Sequence, residues 1–356
     1  MKVSYFALWD EIAHPGVGKK IRQTVAAMND AGHDARAEIL CPNGLSSYLD
    51  FVRRIGSSSS AVLIIRFHPY LMPLLFPVLL WLRVRRRLVV IDVPTPCSTL
   101  LQELRDNSTL TGAGRWLRAG LLCISAPWLL LPASRLIEYA PESRYFMRGL
   151  RKKTVISANG IRARDIPPVR TSERERGDGI TLIGVAALAD WHGYDLVLRG
   201  MAAYPGSGDQ SLRLLIVGDG AIRASLVELA ERLGVADRIE FVGVRHGAEL
   251  DACFERAHIG VGSLALFRKG LAYASSLKSR EYVARGLPFV SAGTDPDFNP
   301  PPDFVFQAPN TDTPLDTRAL IEWYGTLRAE PGLPARLRAY ALEHLDFSVK
   351  IKTFLP

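Results

Sequence analysis

Residues 263–290 read Ser-Leu-Ala-Leu-Phe-Arg-Lys-Gly-Leu-Ala-Tyr-Ala-Ser-Ser-Leu-Lys-Ser-Arg-Glu-Tyr-Val-Ala-Arg-Gly-Leu-Pro-Phe-Val. The order is strand end, polar loop, short helix, glycine stop, next strand. The apolar Ile259–Val261 supplies the strand before it, and Phe267–Ser275 forms the loop. Ser275 or Ser276 is placed to cap a helix running to Arg285, which Gly286 ends before Pro288 opens the following strand. A helix start presents free N–H groups, and Lys278 adds an ammonium in the first turn. Glu281, one turn on, offers a carboxylate to the hydroxyls of a sugar. An anion site beside a hydroxyl acceptor fits a nucleotide, phosphate next to ribose.

Working outward, the alternation of apolar strand and helix-length segment recurs. Strands are expected at 180–185, 213–217 and 238–242, with helices at 194–204, 221–233 and 248–257. Val217-Gly218-Asp219-Gly220 falls at a strand-to-helix turn, where small residues let the backbone approach a ligand. Earlier, strands are expected at 3–9, 35–40, 61–66, 88–93, 128–132 and 154–157, with a helix at 18–31 and a short one capped by Ser134. Strands separated by helical segments imply right-handed crossovers and parallel sheets. The polar residues 162–179, rich in Pro and Arg, read as a linker. The predicted architecture is therefore two βαβ domains with a cleft between them, ligands lying beyond the carboxyl ends of the strands. A helix at 333–345 follows, and the tail is expected to pack back across the domain junction.

At 356 residues the chain has room for two cores. No apolar run reaches the ~18 residues of a membrane span, and Met1–Asp10 reads as a first strand and not a leader. Cys41, Cys97, Cys123 and Cys253 are scattered without ligand spacing, which predicts reduced thiols in the cytoplasm and no metal site. A net charge of +8 suits nucleic acid, an anionic membrane surface or phosphorylated small molecules. No nucleic-acid motif such as a zinc finger is found, so no nucleic-acid partner is expected.

Three segments carry two readings each. Tyr70–Leu82 followed by Arg83-Val84-Arg85-Arg86-Arg87 is either a crossover helix buried on a sheet or an interfacial segment with arginines at anionic headgroups. Trp116–Leu131 adds to the second reading, and Pro73 and Pro77 are expected to break a simple helix. Ala13–Lys20 comes near a phosphate loop, but Ala13 replaces its first glycine and Lys20 stands where Ser or Thr follows the lysine. For Glu281 the plain alternative is a solvated ion pair with Lys278 at i,i+3.

The second half resembles the donor-binding domain of GT-B glycosyltransferases, in particular the large retaining group (family 4) of bacterial polysaccharide and lipopolysaccharide assembly. The resemblance covers roughly residues 155–350 through five motifs in order. Asn159-Gly160-Ile161 is similar to the turn that ends the family's first domain, and Ala189–Asp195 to its "KG-x-(D/E)" helix start. Leu215–Gly220, Phe241-Val242-Gly243 and Leu277–Pro288 resemble "(I/V)-x-G-x-G", "F-x-G" and "E-(Y/A)-(M/L)-A-x-G-x-P".

What the resemblance implies is an α/β GT-B fold of two Rossmann-like domains, 1–165 on the acceptor side and 166–335 on the donor side, with 336–356 crossing back. It implies a hexosyltransferase that moves sugar, with retention, from a UDP- or GDP-sugar to a glycan or lipid-linked acceptor, without cofactor or metal, cytoplasmic and peripheral to the inner membrane. Glu281 falls on the family's ribose-binding glutamate, Lys278 on a cation for the diphosphate, and the amides of Ser276 and Leu277 on the sugar-phosphate. Gly16 and Gly18 fall in its glycine-rich loop over the donor phosphates, and His68 near a histidine by the reacting sugar. Gly220, Arg268, Tyr273 and His192 complete the donor-side candidates.

Three positions depart from the family. Tyr273 stands where a first glutamate is usual, and Ala187 and His192 replace an Arg and a Lys. Arg268 and Lys269 lie in the same loop and are candidates to restore charge. Two other readings share the cleft: a sugar-nucleotide epimerase, and a non-catalytic relative that binds a nucleotide sugar.

Overall fold

The computed structural model describes residues 1–12, 15–106, 112–170, 179–204 and 206–355. The chain divides into two compact units, Met1–Gly160 with Phe347–Pro356, and Ile161–Asp346. Each is built on a six-stranded parallel sheet.

In unit 1 the strands are β1 (Lys2–Leu8), β2 (Asp34–Leu40), β3 (Val62–Arg66), β4 (Leu88–Val93), β5 (Arg135–Glu138) and β6 (Thr154–Ile156), in spatial order β2-β1-β3-β4-β5-β6. Helices α1 (Pro15–Asp30), α2 (Gly44–Ser57), α3 (Met72–Val84), α4 (Cys97–Asp106) and α5 (Gly112–Ser125) lie among them. The inner strands are covered on both faces, so β3 is buried at every position and reads as a continuous apolar run.

Unit 2 holds β7 (Ile180–Val185), β8 (Leu212–Val217), β9 (Ile239–Gly243), β10 (Ile259–Val261), β11 (Phe289–Ala292) and β12 (Val305–Ala308) in order β12-β11-β10-β7-β8-β9. Its helices are α6 (Tyr194–Ala203), α7 (Arg223–Arg232), α8 (Gly247–Glu255), α9 (Leu277–Arg285), α10 (Thr317–Arg328) and α11 (Leu333–Tyr340). A final helix, α12 (Phe347–Phe354), returns to unit 1. There Phe347, Ile351 and Phe354 join Val3, Tyr5 and Met28 in one core, and Arg135 donates to the carbonyls of Thr353 and Leu355.

Several expectations change. Residues 128–132 are not a strand: Trp128–Leu130 is a short 3-10 turn, and the strand is Arg135–Glu138, where a Ser134-capped helix was expected. The apolar run misled because Trp128 and Leu131 remain partly exposed, while the true strand buries a glutamate. Burial, with Glu142 beside it, lifts the Glu138 pKa to about 8, so this carboxyl is mostly neutral in the core.

The run at Tyr70–Leu82 is the crossover helix, continuous from Met72 to Val84. Pro73 sits in its first turn, where a missing N–H costs nothing, and Pro77 is carried inside the helix. Residues 161–170 are no free linker, since Ile161, Ala163 and Val169 are buried in the core of unit 2 with α9 and α11. Residues 171–178 of that stretch, and His14 of the glycine segment, lie outside the described residues. The helix expected at 333–345 ends as α11 at Tyr340 and continues as a π-helical turn, Ala341–Leu345.

Candidate functional site

The chain of unit 2 runs outward from β7 through β8 and β9, then returns to β10 on the other side of β7 and runs outward again. A crevice forms at such a reversal, beyond the carboxyl ends of the two adjacent strands. The loop after β7 carries the 3-10 turn Asp190–His192, and the loop after β10 carries the 3-10 turn Leu266–Lys269 and then α9. The loops are tied together by Leu264 N–H to the His192 carbonyl (3.0 Å) and Ala265 N–H to the Trp191 carbonyl (3.2 Å).

Helix α9 is fixed firmly under this crevice. Ser276 is its N-cap by backbone geometry, and the Ser276 side chain makes no capping bond to the first-turn N–H groups. At the far end Gly286 takes φ +85°, with Leu287 N–H on the Tyr282 carbonyl and Gly286 N–H on the Val283 carbonyl, a Schellman stop. Tyr282 pins the buried face: its hydroxyl donates to the Val261 carbonyl (3.0 Å) and accepts from Val185 N–H (3.3 Å). Arg280, which the sequence analysis does not single out, is wholly buried. It donates to Asp295 twice (Nη2 at 2.6 Å), to Asp297 (2.8 Å) and to the Ser276 carbonyl (3.0 Å). The Asp295-Pro296-Asp297 turn was the signal that could have revealed this brace.

Lys278 turns back towards β10, its Nζ donating to the Gly262 carbonyl at 3.0 Å, with the Tyr194 ring 5.8 Å away. Burial desolvates the ammonium and pulls its pKa down to about 7. It does not pair with Glu281. That carboxylate is held through Oε1 by Arg285 (3.1 and 2.9 Å), which also reaches Asp251 at 2.8 Å. The arrangement therefore sets an ammonium and a carboxylate on one helix without neutralising either on the other.

His192 is buried in the same crevice. Its Nδ1 accepts from Ala189 N–H (3.3 Å), which leaves the proton on Nε2. Burial, then Lys278 and Lys269, press its pKa down to about 3. Standing where the family has a Lys, His192 is thus a neutral hydrogen-bond donor at neutral pH and supplies no positive charge. Lys269 lies 3.7 Å above the Trp191 ring.

Arg268 also departs from expectation. It makes a bidentate pair with Asp195 (2.8 Å each), a bond to Asp312 (3.0 Å) and one to the Asp190 carbonyl. Two carboxylates already balance its charge, so it braces the loop. Tyr273 sits half-exposed, bridged to Thr294 at the end of β11. Gly220 is needed for packing: a Cβ there would lie 2.3 Å from the Leu188 carbonyl oxygen, closing off the approach of the loop after β8 to the loop after β7.

In unit 1 the corresponding reversal lies between β1 and β3. A cavity of about 460 Å³ opens there, lined by Trp9, Arg66, Phe67, His68, Tyr70 and Leu122 among others. Arg66 stacks over Trp9 (4.9 Å) and lies 3.5 Å from the buried Asp92, which also accepts from the Tyr5 hydroxyl. The His68 ring stands edge-on to Tyr48 and Tyr70; burial lowers its pKa, and its Nδ1 is buried with no hydrogen-bond partner. Gly16 and Gly18 were expected in a loop but belong to the first turn of α1. Gly18 admits the Glu11 carboxylate, which a Cβ would meet at 1.9 Å and which binds Arg22 twice.

Residues 165–272 match the family model described as glycosyl transferases group 1. Among the curated proteins none matches the chain in sequence. Solved structures match across both units. HepE of Anabaena in complex with UDP aligns with a TM-score of 0.64 at 15% identity, covering 99% of this chain and 98% of that one. A glycosyltransferase of Rickettsia africae gives 0.68 at 11%, covering 99% and 97%, and the lipopolysaccharide outer core galactosyltransferase WaaB gives 0.62 at 12%, covering 99% and 98%. At these identities the likeness establishes the fold, which is GT-B.

Proposed function

We propose that this glycosyltransferase of the GT-B fold moves a hexosyl group, with retention, from a UDP- or GDP-sugar held by unit 2 to a glycan or lipid-linked acceptor held in the cavity of unit 1. We assign it to cell-surface polysaccharide assembly at the face of an anionic inner membrane. The observation that carries the reading is the crevice between β7 and β10, where Lys278, the N-terminus of α9 and the neutral His192 meet one turn from Glu281. That HepE was captured with UDP supports the choice of a nucleoside diphosphate leaving group.

In this scheme the donor diphosphate lies against Lys278 and the first-turn amides of α9, including Leu277. Charge grows on the leaving diphosphate as the glycosidic bond breaks, and groups already aimed at it stabilise the transition state more than the ground state. No resident metal is required of this design. His192 donates from Nε2 to a sugar or phosphate oxygen, and Glu281 accepts from the ribose hydroxyls with its unused Oε2. In unit 1, His68 offers an unprotonated nitrogen to an acceptor hydroxyl. Among the described residues no helix is long and apolar enough to cross a membrane, so the membrane contact proposed is peripheral.

The test of the reaction is release of UDP or GDP from a panel of nucleotide sugars with and without glycan or lipid acceptors. Acceptor-dependent release is expected, and donor conversion without any acceptor requirement would point to an epimerase. Binding with no release under any pairing would contradict transfer.

Glu281→Gln is expected to weaken donor binding by about 1.5–3 kcal/mol, the range for a hydrogen bond to a charged group. Calorimetric titration of donor into the variant checks this. Unchanged affinity would remove Glu281 from the ribose site.

A further inference from the structure

The surface most strongly marked outside these sites is at the amino ends of the unit 1 strands, the opposite end from the His68 cavity. Between β5 and β6 a groove of about 660 Å³ is lined by Arg144, Arg148, Arg151, Lys152, Lys153 and Met147, with no carboxylate in its wall. Arg144, Arg148, Arg151 and Lys152 are exposed, and among the described residues none of the five cations is held in an ion pair. Five like charges around one concavity repel one another, an arrangement that an anion relieves.

The groove does not end at its own rim. Lys153 and Arg83, the latter from the end of α3, both donate to the Leu131 carbonyl, so the groove runs on into the tract Arg83–Arg87. Burial and then Arg83 lower the Lys153 pKa, as expected where two cations share an acceptor. Arg87, Ser134 and Lys153 stand immediately before β4, β5 and β6, which puts both clusters at the same end of one sheet. Set among the cations are apolar side chains in water: Trp128 43% exposed, Leu131 38%, Trp81 42% and Val84 82%. Arg148 lies over Trp128 (5.6 Å) and Arg85 over Trp81 (4.6 Å).

We propose that this face docks on an anionic lipid bilayer, the groove taking phosphate headgroups while Trp128, Leu131, Trp81 and Val84 enter the interface. A free phosphate would be served by the groove alone and leaves the exposed indoles unexplained. A bilayer surface presents phosphates and apolar depth together, and that is the pairing of arginine with tryptophan seen here. The inference rests on the peripheral-membrane reading above and supplies its surface.

The test compares the parent with Arg148→Gln/Arg151→Gln/Lys152→Gln, leaving Lys153 because it braces the Leu131 loop. Sedimentation with phosphatidylglycerol vesicles is expected to fall by on the order of 100-fold in the partition coefficient, about fivefold for each basic residue near such a surface. Phosphatidylcholine vesicles should bind neither form strongly. Donor binding and turnover on a water-soluble acceptor should be unchanged, so loss of docking is separable from loss of function. A second variant, Trp128→Ser, should also weaken vesicle binding without changing the thermal transition. Equal sedimentation of parent and triple variant would overturn the proposal. So would binding of inorganic pyrophosphate or of a single-stranded oligonucleotide by a parent that ignores the vesicles.

Discussion

Replacing Lys278 with alanine is expected to slow sugar transfer at saturating donor by about 100-fold or more, the loss that follows removal of one preorganised donor to a developing oxyanion. The expectation is large because its neighbours do not share the work. Arg268 is engaged by Asp195 and Asp312, His192 is neutral, and position 187 is an alanine. Donor affinity should fall less than turnover, since the charge on the diphosphate is greater in the transition state than before it. Single-turnover transfer by parent and variant under saturating donor separates the two effects. Equal rates would mean that the diphosphate is held elsewhere, and Lys269 over Trp191 would be the next candidate.

The second large effect concerns stability. Arg280→Met should destabilise unit 2 by about 3–5 kcal/mol, because it strands two partly buried carboxylates that lose their shared counterion. Arg280 is fully buried, while Asp295 and Asp297 keep 13% and 12% of their side chains exposed. Adding Asp295→Asn and Asp297→Asn should recover part of the loss, because the penalty comes from uncompensated charge and not from the missing methylenes. Urea unfolding of the three proteins decides. A single variant as stable as the parent would show that the brace contributes nothing. Because Arg280 also holds the Ser276 carbonyl, the start of α9 should loosen with it.

The sequence revealed helix α9 and the strands beside it well and the charge balance around them poorly. Helix α9 was legible because its ends are local: a serine start, a glycine at φ +85° and a proline beyond. The partners of its side chains are distant. Asp195 and Asp312, which neutralise Arg268, lie 73 and 44 residues away, and no periodicity connects them. The i,i+3 spacing of Lys278 and Glu281 suggested a pair, but the fold sends one to the end of β10 and the other to Arg285. The misplaced fifth strand has the same origin. Trp128–Leu130 is apolar yet buries only Leu130 fully, whereas Arg135–Glu138 is polar at both ends yet buried from Leu136 onward between β4 and β6.

The central claim is that Lys278 meets the donor diphosphate, and its depressed pKa makes that measurable. With a free-state pKa of about 7, the lysine is mostly neutral at pH 8 and must take up a proton to pair with an anion. The nucleotide-sugar diphosphate stays ionised throughout, so donor affinity should be flat below about pH 6.5 and fall towards tenfold per pH unit above about pH 7.5. Calorimetric titration at pH 8 in buffers of different ionisation enthalpy should give net uptake of most of one proton per donor bound, and none in Lys278→Ala. Donor binding by the parent with no proton uptake, at an affinity independent of pH between 7 and 9, would contradict the account.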